Sequence, residues 1–402
     1  MINNLATENK TKQNLKQILL IFSRIFVGAV FTFSGFVKAV DPQGSYIKFV
    51  DYFNAFGMQA LEPVALPLAF LLSAAEFITG FALLFNLRSQ LFTWFALAFM
   101  AIFTPLTFYL ALENPVTDCG CFGDAWVITN WETFWKNIVI TLFTLLIFGL
   151  RKETKQWFKP AVQNITISIF LLGSFVFQYY NNEHLPVIDF RPYKIGTNIK
   201  QNMQMPEGAK SDKFLVVYKL KHQKTGETKE LDSEKYIETK IWEDTLWQIT
   251  ETSEPILIEE GYKPPIHDFE LISAEPEQIS GYAEGEDITN KVLDSKGFSV
   301  FVIAYDLKKA NKKHLLAANK LAEELKKDSI KFYCLTSSLA NDIEKYREQV
   351  NPPYNFFSTD AITLKTIIRA NPGLVLLKNG TVVMKWHGND IPTKKEFNTF
   401  LK

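Results

Sequence analysis

Residues 71–80 read LLSAAEFITG, an apolar stretch that contains one acid, Glu76, and lies within a longer hydrophobic run over 64–85. Four comparable runs cover residues 18–37, 91–112, 134–150 and 162–180. A helix needs about 20 apolar residues to cross the hydrocarbon of a bilayer, and these runs are near that length. The sequence therefore predicts five transmembrane helices. A buried soluble core is the alternative, but five such runs before residue 181 favour the membrane.

The chain changes character near residue 180. Residues 17–180 are dense in apolar side chains, whereas 181–402 are rich in Lys, Glu, Asp and Asn. A chain of 402 residues is too long for one ordinary domain, and its formal net charge of zero provides no basic field for nucleic acid. We therefore expect an α-helical membrane part, a polar part after it, and no nucleic-acid partner.

The placement of Lys and Arg predicts the orientation, because basic residues favour connections on the cytoplasmic side. The N-terminal tail over 1–16, Arg88, and the connection over 151–159 carry such residues, whereas 91–135 carries none. We expect a cytoplasmic tail, a cytoplasmic loop before the fifth helix (151–180), and an outer loop between the third and fourth helices. Everything after residue 180 is then periplasmic. The prediction is a multi-pass protein of a bacterial inner membrane, with its outer parts in an oxidising compartment.

The outer loop reads DCGCFGD over residues 118–124 and holds two of the three cysteines. Cys119 and Cys121 are the closely spaced pair that a two-thiol reaction would use, and Gly120 gives the backbone freedom for a tight, reducible disulfide. A redox-active pair and a permanent structural disulfide both remain open. A metal would need more ligands than this pair supplies, and we expect none. The two flanking acids and the lack of a cation nearby in sequence predict no low-pKa thiolate.

Three charged residues are further site candidates in the predicted bundle. Arg24 and Glu76 lie inside the first and second runs, and Lys38 directly follows the first. An unpaired acid in a bilayer is costly, so Glu76 is a functional candidate. At about 1.5 Å rise per residue, Arg24 is expected roughly 9 Å and Glu76, close to the middle of its helix, roughly 14 Å from the inner edge, so their long side chains could meet. A structural Arg24–Glu76 ion pair and a proton or quinone site are both compatible with this pattern.

Residues 17–150 are similar to the DoxX/MauE family of redox-associated membrane proteins. The similarity rests on RIFVG at 24–28, FSGFVK at 33–38 with Asp41-Pro42, Glu76 with Gly80, and CGCFG at 119–123. The resemblance implies a four-helix bundle in thiol or quinone-coupled redox work, and MauE is linked to maturation of a disulfide-rich methylamine dehydrogenase. The whole chain resembles the large DoxX proteins of Bacteroidetes. Its fifth helix and long tail exceed the MauE pattern.

The polar part divides into a tether with a small β-rich region over 181–263 and an alternating strand and helix pattern over 264–402. In the β-rich region we predict strands at 214–220 and 256–259, with a hairpin turn at 224–227. In the C-terminal region we predict strands at 298–305 and 330–335, helices at 309–327 and 361–369, and a hairpin of 374–377 with 382–386.

This C-terminal order resembles the thioredoxin or redoxin fold, with Asn371-Pro372 where that fold carries its cis-proline. Leu307 and Ala310 stand where its two cysteines are found. The resemblance therefore implies a thiol-inactive domain, whose groove beside these four residues can bind an extended partner segment. Cys334 lies within a predicted strand, where a lone cysteine is most often a small buried hydrophobe. A resolving or mixed-disulfide role is its alternative.

Two functions are compatible with these observations. In the first, Cys119 and Cys121 relay electrons between periplasmic thiol partners and the membrane quinone pool, with no covalent cofactor and a quinone near Glu76 and Arg24. In the second, the protein is a non-enzymatic membrane scaffold or assembly factor for envelope proteins, and the pair is a structural disulfide. Whether the chain is an enzyme stays open at this stage. A transporter is disfavoured because the sequence has no evident inverted repeat.

Overall fold

The computed structural model describes residues 2–259, 261–328 and 330–401, with side chains described from residue 13 onward. Its helices are α1 (Ile2–Val40), α2 (Pro42–Ala55), α3 (Ala65–Leu84), α4 (Ser89–Glu113), α5 (Asn130–Leu150), α6 (Pro160–Glu183), α7 (Ile199–Met203), α8 (Ser233–Thr239), α9 (Glu277–Ser280), α10 (Thr289–Leu293), α11 (Lys312–Leu325), α12 (Ala340–Val350), α13 (Ala361–Ile367) and α14 (Lys394–Phe397). Its strands are β1 (Lys213–Leu215), β2 (Val217–His222), β3 (Thr228–Asp232), β4 (Trp247–Thr252), β5 (Ile256–Glu259), β6 (Ile272–Ser273), β7 (Phe298–Ile303), β8 (Lys331–Thr336), β9 (Asn355–Ser358), β10 (Gly373–Lys378) and β11 (Thr381–His387).

Five helical segments are long and apolar enough to cross a membrane. They are Gln13–Val40, Gln59–Leu84, Ser89–Glu113, Asn130–Glu153 and Pro160–Glu183. Each coincides with one of the five apolar runs in the sequence. The prediction of a multi-pass helical membrane part is therefore confirmed.

Helix α2 between the first two spans was not predicted. Its start is encoded locally, because the Asp41 carboxylate accepts a hydrogen bond from the backbone N–H of Gly44 and Pro42 occupies the first helical turn. A side-chain acceptor before the helix and a proline at its first position are both common helix-start signals. This short helix matters below because it contacts the cysteine loop.

Helices α1 and α3 pack closely because glycines lie at their interface. A Cβ atom at Gly35 would lie 2.3 Å from the backbone N of Phe77, and one at Gly80 would lie 2.2 Å from that of Thr32. Small residues at such positions let helix backbones approach each other in a membrane. Residue numbers fall along α3 as they rise along α1, so the helices are antiparallel. This register brings the end of α1 level with Glu76.

Residues 198–269 form a compact unit of their own. It contains α7, α8, an antiparallel pair of strands β1 and β5, and a three-stranded sheet of order β3-β2-β4. The strand predicted at 256–259 is confirmed, as is the hairpin, in which β2 and β3 pair antiparallel on either side of the predicted turn. The single strand predicted at 214–220 is two strands, β1 and β2, which belong to different sheets.

Residues 1–197 and 270–402 form the other compact unit, which joins the membrane helices to a mixed six-stranded sheet of order β11-β10-β7-β8-β9-β6. Strands β7, β8 and β9 are parallel, whereas β10 runs antiparallel to both β7 and β11. The predicted strands, the two predicted helices and the hairpin of this region are confirmed. The fold class, a helical membrane part followed by a mixed α/β part with a β-rich region, is therefore confirmed.

Several elements of the C-terminal region were not predicted: the short elements β6, α9, α10 and α14, and also α12 and β9. Helix α12 is mostly polar and buries only Ile343, so its sequence shows little apolar periodicity. Strand β9 has four residues and follows Pro352 and Pro353, which are typical of loops. The core beneath the sheet includes Val300, Val302, Leu315, Leu321, Cys334, Phe356, Leu374, Trp386 and Phe397.

Candidate functional site

The cysteine loop, residues 118–124, lies between the end of α4 and the start of α5. Cys119 and Cys121 are free, half-buried thiols whose Sγ atoms are 3.1 Å apart. Gly120 between them has φ +68°, a conformation that glycine adopts without strain, and its N–H donates to the Asp118 carboxylate at 2.9 Å. The loop therefore turns tightly enough to hold both sulfurs in contact.

Helix α2 contacts the loop at Cys119 and at Asp118. The Tyr52 hydroxyl donates to the carbonyl O of Cys119 at 2.9 Å, and Lys48 Nζ lies 2.6 Å from an Asp118 carboxylate oxygen. Neither Tyr52 nor Lys48 was among the predicted site residues. The Asp41-Pro42 signal could have placed α2, although not its contact with the loop.

A buried ion pair lies directly behind the loop. Lys38 Nζ is 2.6 Å from Glu76 Oε2 and 2.9 Å from Oε1, and it donates to Ser34 Oγ at 3.0 Å. Ser34 Oγ is 2.8 Å from Glu76 Oε2 and 2.7 Å from the carbonyl O of Cys121, and its one proton can serve either acceptor. The predicted candidates Lys38 and Glu76 are therefore brought together, and Ser34, which the sequence reasoning missed, links them to the loop.

The predicted pairing of Arg24 with Glu76 is wrong. Arg24 lies 14 residues before Lys38 on α1, or about 21 Å along a helix axis, and the antiparallel register puts Lys38 beside Glu76 instead. The Arg24 guanidinium stacks 4.8 Å from the ring centroid of Trp157, and its Nε and Nη2 have no hydrogen-bond partner among the described residues. A site formed by Arg24 and Glu76 together is therefore excluded.

The prediction that the loop disfavours a low-pKa thiolate is also wrong, for Cys121. The hydrogen bond from the Cys119 thiol lowers the pKa of Cys121 to about 6, and the charges of Lys136 and Lys38 act in the same direction. The same hydrogen bond, followed by burial, raises the pKa of Cys119 well above its usual range. The two cations lie on α1 and α5, so only the folded chain brings them to the loop. The pair therefore favours one thiolate and one thiol.

Both cysteines line an apolar cavity of about 250 Å³ in the membrane helices. Lys38, Glu76 and Tyr52 also line it. Its apolar lining includes Phe49, Phe56, Met58, Leu72, Met100 and Phe103. A mostly apolar pocket with a few convergent polar groups is typical of small-molecule binding sites. Among the described residues, no group of three or more His, Cys, Asp or Glu could hold a metal ion.

The four predicted groove residues lie together at one end of the C-terminal sheet. The Asn371–Pro372 peptide bond is cis, as predicted. Ala310 is buried and Leu307 is half-buried, and the Asn371 amide donates to the carbonyl O of Asp306 at 2.9 Å. A cavity of about 400 Å³ separates this edge from α2, with Tyr305 and Asn371 on one side and Tyr46 and Ile47 on the other. The groove therefore faces α2.

Arg369 connects the C-terminal region to the cysteine loop. Its Nε lies 2.9 Å from the Asp41 carboxylate at the start of α2, and its Nη2 lies 2.7 Å from the Asp124 carboxylate in the loop. Burial opposes ionisation of Asp41, but the charges of Arg369 and Arg191 outweigh it and lower the pKa of that carboxyl. The sequence reasoning missed Arg369, because its partners are more than 240 residues away along the chain.

The membrane part is similar to a known family. Residues 16–150 match the family described as methylamine utilisation protein MauE. No curated protein matches the chain. The matched region contains most of α1, all of α2 to α5, the Lys38–Glu76 pair and both cysteines of the loop. Over these residues the chain is similar to MauE, and its five candidate spans indicate a multi-pass membrane protein.

Proposed function

We propose that this protein is a membrane dithiol oxidoreductase that relays electrons from thiol partners to a quinone. The observation that carries the proposal is the position of the cysteine pair: both thiols line an apolar cavity among membrane helices, beside the Lys38–Glu76 pair. An apolar cavity suits a lipid-soluble reactant, and an adjacent dithiol suits a two-electron exchange. The similarity to the redox-associated MauE family agrees with this assignment.

The first half-reaction is thiol–disulfide exchange with a periplasmic partner. A partner thiolate attacks one sulfur of the oxidised Cys119–Cys121 pair, and the S–S bond of the pair breaks as a mixed disulfide forms. A second partner thiolate then attacks that mixed disulfide, which releases the oxidised partner and leaves both cysteines reduced. The partner attacks Cys119, and Cys121 is the leaving thiolate, because the charges of Lys136 and Lys38 stabilise its negative charge.

The second half-reaction regenerates the disulfide. A bound quinone would supply the oxidant: it would accept two electrons from the pair as the S–S bond forms, together with the proton of the Cys119 thiol and a second proton from the solvent. In the chain itself, Cys121 carries the negative charge beside Lys136 and Lys38, and Cys119 carries the thiol proton. Lys38 Nζ and Glu76 Oε1 provide polar atoms at the cavity wall that can accept or return a proton.

We further propose that residues 264–402 form a thioredoxin-like domain that binds partners without thiol chemistry. The order β8-β7-β10-β11, the strand directions and the cis peptide before Pro372 support the fold. Leu307 and Ala310 provide no sulfur. A partner segment would enter the cavity of about 400 Å³ between Asn371 and α2, close to the cysteine loop. The basic residues of the tail and of 151–159 support a periplasmic position for this domain.

A non-enzymatic scaffold is the second candidate. The absence of cysteines at 307 and 310, together with the Arg369 contacts to Asp41 and Asp124, favours it. In this case the cysteine pair would only hold the loop in shape. The two functions differ in whether the thiols turn over.

The test uses the full-length protein in lipid nanodiscs, with its cysteines reduced and excess reductant removed. We expect a short-chain quinone to be reduced in a 1:1 ratio to the Cys119–Cys121 disulfide formed, measured by quinol absorbance and by alkylation mass shift. The Cys119→Ser and Cys121→Ser variants should each lose this activity, and Cys334→Ser should keep it. Quinol formation that persists in the double serine variant, or a wild-type pair that stays reduced, would refute the proposal.

A further inference from the structure

A second cavity, of about 230 Å³, lies on the other side of the cysteine loop from the apolar one. Its walls come from the end of α1, from α2, from Gly120 and Gly123 of the loop, from the segment after α6, and from α13. The two cavities share Lys38, Lys48 and Gly120, but Cys119 and Cys121 line only the apolar one. The outer cavity therefore does not contain the reactive sulfurs.

Five Lys or Arg side chains line the outer cavity, together with three Asp side chains. Three of the cations are paired with acids outside this lining: Lys38 with Glu76, Lys48 with Asp118, and Arg191 through its Nε with Asp189. Arg369 is paired with Asp41 and Asp124. Lys365 lines the cavity from α13, is half-buried, and has no carboxylate within ion-pair distance among the described residues. Lys365 and the rest of the Arg191 guanidinium are therefore the cationic groups that an anionic occupant could use.

Arg191 carries the most specific sign of a ligand. Its side chain is 2% exposed, lines the cavity, and donates from Nε to Asp189 at 2.7 Å. Its Nη1 has no hydrogen-bond partner in the part of the chain that the structure describes. A buried guanidinium N–H without an acceptor is costly, so an acceptor supplied by a ligand would satisfy it.

The surroundings indicate the depth of the cavity in the membrane. Trp126, Trp131 and Trp135 flank the same loop and are 62%, 47% and 61% exposed. Exposed tryptophans at the end of a membrane bundle mark the level of the lipid headgroups. Ile188 and Phe190, which line the cavity, are also exposed apolar residues. An anion at this level can come from a phospholipid as well as from solution.

We propose that the outer cavity binds a phosphate group, with Arg191 Nη1 as its principal donor and Lys365 as a second cation. A phosphate group offers oxygen acceptors in several directions, which suits donors that converge from separate chain segments. The group can belong to an anionic phospholipid headgroup or to free inorganic phosphate. Binding would brace the cysteine loop from its outer side. The proposal is independent of the quinone reaction, because it concerns binding alone.

The test measures thermal unfolding of the delipidated full-length protein in a phosphate-free detergent. One arm compares inorganic phosphate with chloride at equal ionic strength, and the other compares short-chain phosphatidylglycerol with a phosphate-free glycolipid. We expect the Tm to rise by roughly 3 °C or more at saturation in at least one arm. A rise with inorganic phosphate identifies a free phosphate site, whereas a rise with the phospholipid alone identifies a headgroup site.

Matched variants assign the response to the cavity. Arg191→Lys keeps the positive charge but removes Nη1, and it should lose most of the Tm shift; Lys365→Gln should reduce the shift. Arg88→Gln removes a basic residue at the start of α4, outside the lining of the cavity, and should respond like the wild type. A wild-type protein that responds in neither arm, or Arg191→Lys and Lys365→Gln variants that both respond fully, would overturn the proposal.

Discussion

The cysteine loop and strand β8 surround their cysteines in opposite ways. Cys334 in β8 is 0% exposed within the core of the C-terminal sheet, and burial raises the pKa of its thiol well above its usual range. Cys119 and Cys121 are half-buried and in contact, and the pKa of Cys121 is lowered to about 6. Thiol reactivity depends on thiolate content and access, so this difference favours redox chemistry in the loop and a packing role for Cys334.

The same contrast separates the two large parts of the chain. The membrane helices bring thiols, cations and an acid to one cavity, whereas the C-terminal region has Leu307 and Ala310 at the positions where its sequence resemblance would place cysteines. The C-terminal region instead reaches the loop through Arg369. In the function proposed above, one part carries the reactive groups and the other holds them in place. The predictions below test this division, in order of decreasing effect.

The largest expected effect is the difference in thiol-labelling rate between the loop cysteines and Cys334. At pH 7 we expect iodoacetamide to label the reduced loop pair at least about 100-fold faster than Cys334, because a fully buried thiol reacts only after local unfolding. Rates for each site can be read by peptide mass spectrometry, with Cys334→Ser as the control for assignment. Comparable rates at Cys334 and the loop in the folded protein would contradict the comparison.

Breaking the Lys38–Glu76 ion pair should have the next largest effect, a loss in the free energy of unfolding. Lys38→Met leaves Glu76 as an unpaired buried acid, and we expect about 3 to 5 kcal/mol less stability, measured as unfolding free energy in detergent. The double variant Lys38→Met with Glu76→Leu removes both charges and should recover much of this loss. Additive losses in the double variant would show that the two residues are not coupled.

Removing Arg369 should loosen the loop without changing its chemistry. Arg369→Gln removes two charge-assisted hydrogen bonds, worth about 1.5 to 3 kcal/mol each, so loop opening and labelling of the pair should rise roughly 10-fold or more. Lys395→Gln, at an exposed position of α14 that lines neither cavity beside the loop, serves as the control and should change labelling little. An unchanged labelling rate in Arg369→Gln would remove this residue from the account.

The smallest effect concerns Lys136. The rate of Cys121 alkylation should rise with pH through a midpoint near the thiol pKa of about 6, because the thiolate is the reactive form. Lys136→Met removes a cation that favours the thiolate, so the midpoint should move to higher pH by up to about one unit. Lys152→Met, beyond the end of α5, is the control. A midpoint that moves to lower pH, or one that is the same in Lys136→Met and the wild type, would contradict the electrostatic assignment.

The sequence predicted best those elements that depend on residues close together along the chain. Apolar runs of membrane-spanning length located all five spans, and alternation with turn residues located the hairpin of β10 and β11. The cysteine loop was recognisable from its composition alone. Helix α2 was missed although Asp41 and Pro42 are helix-start signals, because it is short and is not part of a long apolar run.

The contacts within the site depend on how the helices pack against each other, and local sequence patterns do not predict that packing. Spacing suggested that Arg24 and Glu76 meet, but Gly35 and Gly80 set an antiparallel register that brings Lys38 to Glu76 instead. The cations that lower the pKa of Cys121 come from separate helices. Arg369 joins the loop from a distant part of the chain. The residue types of the site were therefore readable in the sequence, whereas their partners were not.

The most direct test of the central claim measures the thiol state of Cys119 and Cys121 in intact cells. A brief pulse of reductant is given, and re-oxidation of the pair is then monitored by alkylation mass shift. We predict that the reduced pair re-oxidises within minutes while respiration runs, and that it stays reduced when the respiratory chain is blocked. Cys334 should remain a thiol throughout. A pair that is fully oxidised and resists mild reductant, or one that re-oxidises equally fast without respiration, would contradict the relay.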